Sequence, residues 1–220
     1  MVFDTLFPKE VVTIAMTLDD NILDQTLYPE ELGHINKAVK KRKREFIAGR
    51  VCAKMALKQL GITQFPLLVG KSREPLWPSN VVGSLSHCDD YCGVAIALNT
   101  HLKGVGLDIE HNTPLEKDII DTICTPSEQS WIRNNQPLQG SNWPKIMFSA
   151  KESVYKCLFP IFRIYIGFLD VEIRIKPETM QFSALLGKKR LPQYAAHPPL
   201  TGHIVYNSQH IFTGVAIEAQ

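Results

Sequence analysis

The apolar periodicity of this chain runs strand, helices, strands and then repeats that order, which constrains its fold more than any single motif. Residues 11–18 form a short apolar run suited to a buried strand. Pro29-Glu30-Glu31 then opens a helical pattern that ends at Gly61, a residue suited to closing a helix. Leu32, Ile35, Val39, Phe46, Ala53, Ala56, Leu57 and Leu60 follow its spacing, and the basic run inside it is a candidate break between two helices. Residues 70–80, with Pro75 and Pro78 among charges, read as a loop feeding a strand at 81–86; a second strand follows at 92–98 and a turn at 99–103. The second passage starts with a strand at 104–110. Helical patterns at 115–124, 126–133 and 144–158 come next, the last opened by Trp143-Pro144. Strands at 168–175, 181–186, 201–206 and 211–217 complete it. The expectation is an α+β chain of two similar α/β halves, 1–102 and 103–220, and element order rather than any internal sequence repeat carries it.

At 220 residues the chain is long enough to bury a substantial core, and 45% hydrophobic with 21% charged residues suits a folded globule, not a disordered one. The net charge of +2 conceals a cluster of Lys37, Lys40, Lys41, Arg42, Lys43, Arg44, Arg50, Lys54 and Lys58. Such a segment can face solvent, a phosphate ligand, an acidic protein or a nucleic acid, although the run lacks interleaved aromatic residues. Five cysteines without paired spacing read as reduced thiols, no signal pattern opens the chain, and no stretch approaches 18 apolar residues. A cytoplasmic protein without a membrane span is expected.

Three short motifs carry chemistry. In Asp108-Ile109-Glu110 the carboxylates alternate with an apolar residue; on a strand, both point to one face, roughly 7 Å apart. Glu152 and Lys156 are one helical turn apart, so an anion and a cation share one side. With Ser86-His87, this is the inventory for holding a divalent metal against a phosphate. Each motif also has a structural explanation. Acidic residues often just lead a strand out to solvent, and Ser149-Ala150-Lys151-Glu152 matches a helix capping box. His87 can be a satisfied hydrogen-bonding residue. Cys88 and Cys92 with His87 resemble part of a zinc site, but no second ligand pair stands at a recognisable spacing. His34, His101, His111, His197, His203 and His210 also lack ligand spacing and read as surface or loop residues.

Taken in order, Gly49-Arg50, Arg73-Glu74-Pro75-Leu76-Trp77-Pro78, Gly83-Ser84-Leu85-Ser86-His87, Gly106-Leu107-Asp108-Ile109-Glu110 and residues 148–156 resemble the 4'-phosphopantetheinyl transferases of the surfactin and enterobactin type. The Trp-Pro pair and Gly-Ser-Leu-Ser-His-Cys-Asp look most like the enterobactin synthase component D branch. The resemblance implies a monomeric pseudo-dimer of two halves with the active site in the cleft between them. It also implies Mg²⁺-dependent transfer of phosphopantetheine from coenzyme A to a serine of an acyl, peptidyl or aryl carrier protein, with release of 3',5'-ADP. Asp108, Glu110 and Glu152 match the metal ligands, Lys156 the phosphate-binding lysine, and Ser86 and His87 contacts to coenzyme A phosphates. Arg50 and Arg73 match basic positions holding the nucleotide phosphates, and Glu128 the acidic partner of Lys156. Glu152, directly or through a water on the metal, is the expected general base. Phe148 stands where the family often has tryptophan, and Leu107 where it often has valine or isoleucine. For carrier docking, Val154, Tyr155, Cys157, Leu158 and Phe159 offer more apolar side chains than one buried stripe needs. Two rival readings are a basic-helix nucleic-acid binder and a metal-dependent phosphohydrolase.

Overall fold

A computed structural model describes residues 3, 5–135, 137, 140–187 and 199–219. His197 lies outside these residues. The first half comprises β1 (Val12–Thr17), α1 (Pro29–Leu32), α2 (Lys40–Gln59), β2 (Leu68–Val69), β3 (Pro75–Leu76), β4 (Val81–His87) and β5 (Tyr91–Leu98). The second comprises β6 (Leu102–His111), α3 (Lys117–Ile123), α4 (Pro126–Asn134), α5 (Trp143–Phe162), β7 (Val171–Lys176), β8 (Gln181–Leu186), β9 (Leu200–Tyr206) and β10 (His210–Glu218). Both sheets are antiparallel, ordered β1-β5-β4 and β6-β10-β9-β8-β7. Each half thus sets a long helix on an antiparallel sheet, with three strands in one and five in the other.

The basic run does not separate two helices. It forms the first turns of α2, while the break falls earlier, between Leu32 and Lys40. Gly61, at φ +80°, closes α2: its N–H donates to Lys58 O and that of Ile62 to Leu57 O, satisfying carbonyls the helix leaves unpaired. Small residues Ala48, Cys52, Ala53 and Ala56 let α2 lie close on Cys92, Val94 and Ile96 of β5. The stretch read as a loop contains the turn and second strand of a short β2–β3 ribbon, in which Val69 pairs with Pro75.

Strand β6 explains how the halves join. Its odd-numbered side chains Val105, Leu107 and Ile109 pack with Ala95, Ala97 and Phe212 in an apolar layer between the two sheets. Its even-numbered positions, Gly104, Gly106, Asp108 and Glu110, lie on the face toward α5. A Cβ on Gly106 would stand 1.9 Å from Ser153 O. The absence of that atom lets helix and strand touch, and the next even positions carry the carboxylates. We expect Gly106→Ala to cost about 1–3 kcal/mol by overpacking. A denaturation midpoint equal to wild type would show that α5 can retreat freely.

Ser149 is not a cap. Helix α5 begins two turns earlier, where Asn142 Oδ1 accepts the Lys145 N–H, and Ser149 is buried against Thr213, hydroxyl to hydroxyl at 2.9 Å. The capping box stands instead at the start of α4, between Thr125 and Glu128.

Candidate active site

Where β4 runs beside β6, serine side chains supply links between the two strands. Ser84 Oγ donates to Leu107 O at 3.3 Å, and Ser86 Oγ accepts the Ile109 N–H at 3.1 Å. Because Ser84 and Ser86 alternate with Leu85, both point the same way, and both are buried. Ser86 Oγ also donates to Asp108 Oδ1 at 3.1 Å. From α5, Lys156 Nζ donates to that carboxylate at 2.7 Å and to Ser86 Oγ at 2.9 Å. Three segments distant in sequence therefore meet at Asp108.

These residues floor a cleft of about 310 Å³. Arg50, Arg73, Ser86, His87, Asp108, Glu110, Glu152 and Lys156, all singled out from the sequence, line it together. So do Arg42, Glu45 and Phe148. Arg42 donates to Glu45 at 3.3 Å and lies 3.3 Å from His87 Nε2. The sequence reading missed Arg42 and Glu45 as site residues, although with Phe46 and Arg50 they recur at helical spacing on one face of α2. It missed Lys145 too, whose Nζ is 3.2 Å from Glu110 Oε2. Lys145, Glu152 and Lys156 are spaced seven and four apart, a single stripe on α5.

The electrostatics are those of an anion cluster only partly neutralised. Burial raises the Glu152 carboxyl above the ordinary range, and repulsion from Asp108 and Glu110 adds to this against the pull of Lys156. Burial likewise raises Glu110, with Asp108 adding and Lys145 opposing. Asp108 Oδ2 is buried with no hydrogen-bond partner among the described residues. A buried, unsatisfied carboxylate oxygen beside two reluctant carboxylates suits a hard divalent cation, so Asp108, Glu110 and Glu152 fit magnesium by donor type.

The cationic rim has two characters. Arg50 is buried, stacked 3.7 Å above the Phe46 ring and donating to Leu67 O at 3.2 Å, and burial draws its guanidinium down to about 10. Arg73 is exposed and held at φ +70° in the β2–β3 turn. Burial also lowers the His87 imidazole, assisted by Arg42 and Lys156 and opposed by Glu45 and Asp108.

Glu128 does not pair with Lys156. It accepts Lys151 Nζ at 2.8 Å and the Ile173 N–H at 2.6 Å, and both charged side chains are about 1% exposed. Five residues along a helix turn through about 140° beyond a full circle, so Lys151 faces α4 and β7 while Lys156 faces the cleft. In the apolar set, Val154, Cys157 and Leu158 are core residues, leaving Tyr155 and Phe159 half-buried. The basic run is largely engaged locally, Lys40 with Asp20, Lys41 with Asp89, Arg42 with Glu45 and Arg44 with Asp20.

Comparison with known families agrees with this architecture. Residues 30–97 match the model of the 4'-phosphopantetheinyl transferase N-terminal domain, and residues 104–206 that of the 4'-phosphopantetheinyl transferase superfamily. The chain is 38% identical over 161 residues to the 4'-phosphopantetheinyl transferase Svp of Streptomyces mobaraensis, covering 73% of this chain and 65% of that one. It is 35% identical over 178 residues to PptT of Mycobacterium tuberculosis, covering 80% and 78%. Identity to enterobactin synthase component D of Escherichia coli K12 is 33% over 149 residues, covering 67% and 68%. The chain belongs to the 4'-phosphopantetheinyl transferase superfamily. Among the described residues no helix is long and apolar enough to cross a membrane.

Proposed function

We propose that this chain, acting as a monomer, transfers 4'-phosphopantetheine from coenzyme A to a serine of an acyl, peptidyl or aryl carrier protein and releases 3',5'-ADP. The observation carrying this reading is the meeting of Asp108, Glu110, Glu152 and Lys156, from both sides of the β6–α5 contact, in one cleft rimmed by Arg42, Arg50 and Arg73. Magnesium held by Asp108, Glu110 and Glu152 would supply Lewis-acid neutralisation of the diphosphate charge.

The chain's own groups do the rest. Two of the three Lys156 ammonium N–H donors are engaged by Asp108 and Ser86, which fixes the charge in place and leaves a donor for a phosphate oxygen. Arginine forks suit phosphate geometry, so the rim serves the nucleotide end of coenzyme A. The Glu152 side chain lines the cleft with no hydrogen-bond partner among the described residues, so a carboxylate oxygen is placed to act as the base. It takes the serine proton as the serine oxygen bonds to phosphorus and the phosphorus–oxygen bond to 3',5'-ADP breaks. The carrier would cover the cleft mouth near Tyr155, Phe159 and the exposed Tyr165 and Leu169. Such a carrier serves siderophore, other nonribosomal peptide, polyketide or fatty-acid synthesis.

Release of 3',5'-ADP from coenzyme A tests this against a phosphohydrolase. Transfer requires release to depend on a carrier and to stop when its serine is replaced by alanine. Equal release without carrier would identify water as the acceptor. Arg73 offers a second test, because a non-glycine residue at positive φ is strained by about 1 kcal/mol. Arg73→Gly is expected to keep or raise Tm while weakening coenzyme A binding by about 1.5–3 kcal/mol. Unchanged calorimetric affinity would remove Arg73 from the site.

A further inference from the structure

A second cluster of metal-ligating side chains lies beside the cleft but outside it. Cys88 and Asp90 occupy the short turn between β4 and β5 in the first half of the chain. His111 ends β6 and His210 begins β10 in the second half, and the two are direct cross-strand partners. One ligand atom from each of the four residues lies within 4.8 Å of those of the other three. Asp90 Oδ1 is the hub, 2.9 Å from His210 Nε2, 3.5 Å from His111 Nε2 and 3.4 Å from Cys88 Sγ. A tetrahedral zinc ion, with bonds of about 2.0–2.3 Å, places its ligand atoms roughly 3.3–3.8 Å apart. The distances from Asp90 straddle the lower end of that spacing, and the 4.8 Å bound on the other pairs leaves shifts of about 1 Å or less to reach it.

The sequence pairing of Cys88 with Cys92 fails because Cys92 alternates inward on β5 and is buried against α2. The missing ligand pair is supplied by His111 and His210, which are not loop residues: both stand in strands, and His210 is 6% exposed. The His210 ring packs against Tyr91 and Phe212 at centroid distances of 5.3 and 5.8 Å. That packing restricts the orientations open to the ring.

We propose that Cys88, Asp90, His111 and His210 bind one zinc ion, separate from the carboxylate site, which clips the two halves together. Thiolate and imidazole ligands favour zinc over magnesium, whereas Asp108, Glu110 and Glu152 offer oxygen alone. The placement gives the clip a purpose. Cys88 directly follows His87, and His111 directly follows Glu110, so one ion ties together the ends of the two strands that carry the cleft. This inference does not depend on the transfer reaction.

Cobalt(II) reports such a site directly, because a cysteine thiolate on cobalt gives a charge-transfer band absent from oxygen-only sites. The full chain, reduced, stripped with chelator and kept in excess Mg²⁺, is expected to bind one equivalent of cobalt with that band, and zinc is expected to displace it and raise Tm. Cys88→Ser should abolish the band, and His111→Ala should weaken zinc binding by at least about a hundredfold, since even outer-shell losses cost 10–100-fold. Asp108→Asn should leave the band in place. Absence of the band in the wild type, its survival in Cys88→Ser, or its loss in a folded Asp108→Asn would each overturn the proposal.

Discussion

Asp108→Ala and Glu152→Ala are each expected to lower phosphopantetheine transfer by about 10³-fold or more while leaving the chain folded. Both side chains belong to a half-buried carboxylate set in which burial first, and mutual repulsion second, raises the Glu110 and Glu152 carboxyls. Removing a hard ligand would unseat the proposed magnesium, and electrostatic stabilisation of the kind it would supply is usually the largest single contribution to catalysis. Glu152→Ala also removes the proposed base. The cost of burying this charge, with the repulsion added to it, predicts a trade-off: Glu152→Gln, which deletes the charge but keeps the shape, should stabilise the metal-free chain by about 1 kcal/mol, or roughly 2–4 °C in Tm. Near-wild-type turnover of either alanine variant at saturating Mg²⁺ and coenzyme A would show that the carboxylates are not the metal site.

Lys151→Ala is expected to destabilise the protein by about 3–5 kcal/mol, because it strands Glu128 as a buried, unpaired charge. Lys151 also donates to Ile123 O and Phe168 O at 2.7 and 2.8 Å, so its loss frees two carbonyls. Lys156→Ala should show its main loss in transfer, which loses its fixed cation; the 27%-exposed lysine also pairs with the 3%-exposed Asp108, so some stability falls with it. Denaturation midpoints and turnover measured on both variants separate the roles. A Lys151→Ala variant as stable as wild type, or a Lys156→Ala variant with full activity, would contradict the assignment.

These two lysines show what could be read before the structure. The strand alternation in Gly106-Leu107-Asp108-Ile109-Glu110 and the one-turn spacing of Glu152 and Lys156 are local, so the sequence places those side chains on shared faces. The partner of Glu128 is not local: it depends on which side of α5 turns toward α4 and β7. Ser149 matched a capping pattern because such a pattern uses four residues, whereas the helix start was set by Asn142 and Pro144 further back. His111 and His210 are far apart in the chain and become neighbours only when β6 and β10 pair. Prolines in residues 70–80 concealed the β2–β3 ribbon that presents Arg73, since proline reads as a strand breaker although edge positions accept it.

This cleft is proposed to move phosphopantetheine onto a carrier serine. Intact-mass measurement of an apo carrier protein, incubated with the chain, coenzyme A and Mg²⁺, tests it most directly. The wild-type chain should add the mass of one phosphopantetheine, and Glu152→Gln should leave the carrier unmodified over the same period. A carrier that keeps its apo mass with the wild-type chain across acyl, peptidyl and aryl types, or gains the group equally with Glu152→Gln, would contradict the account.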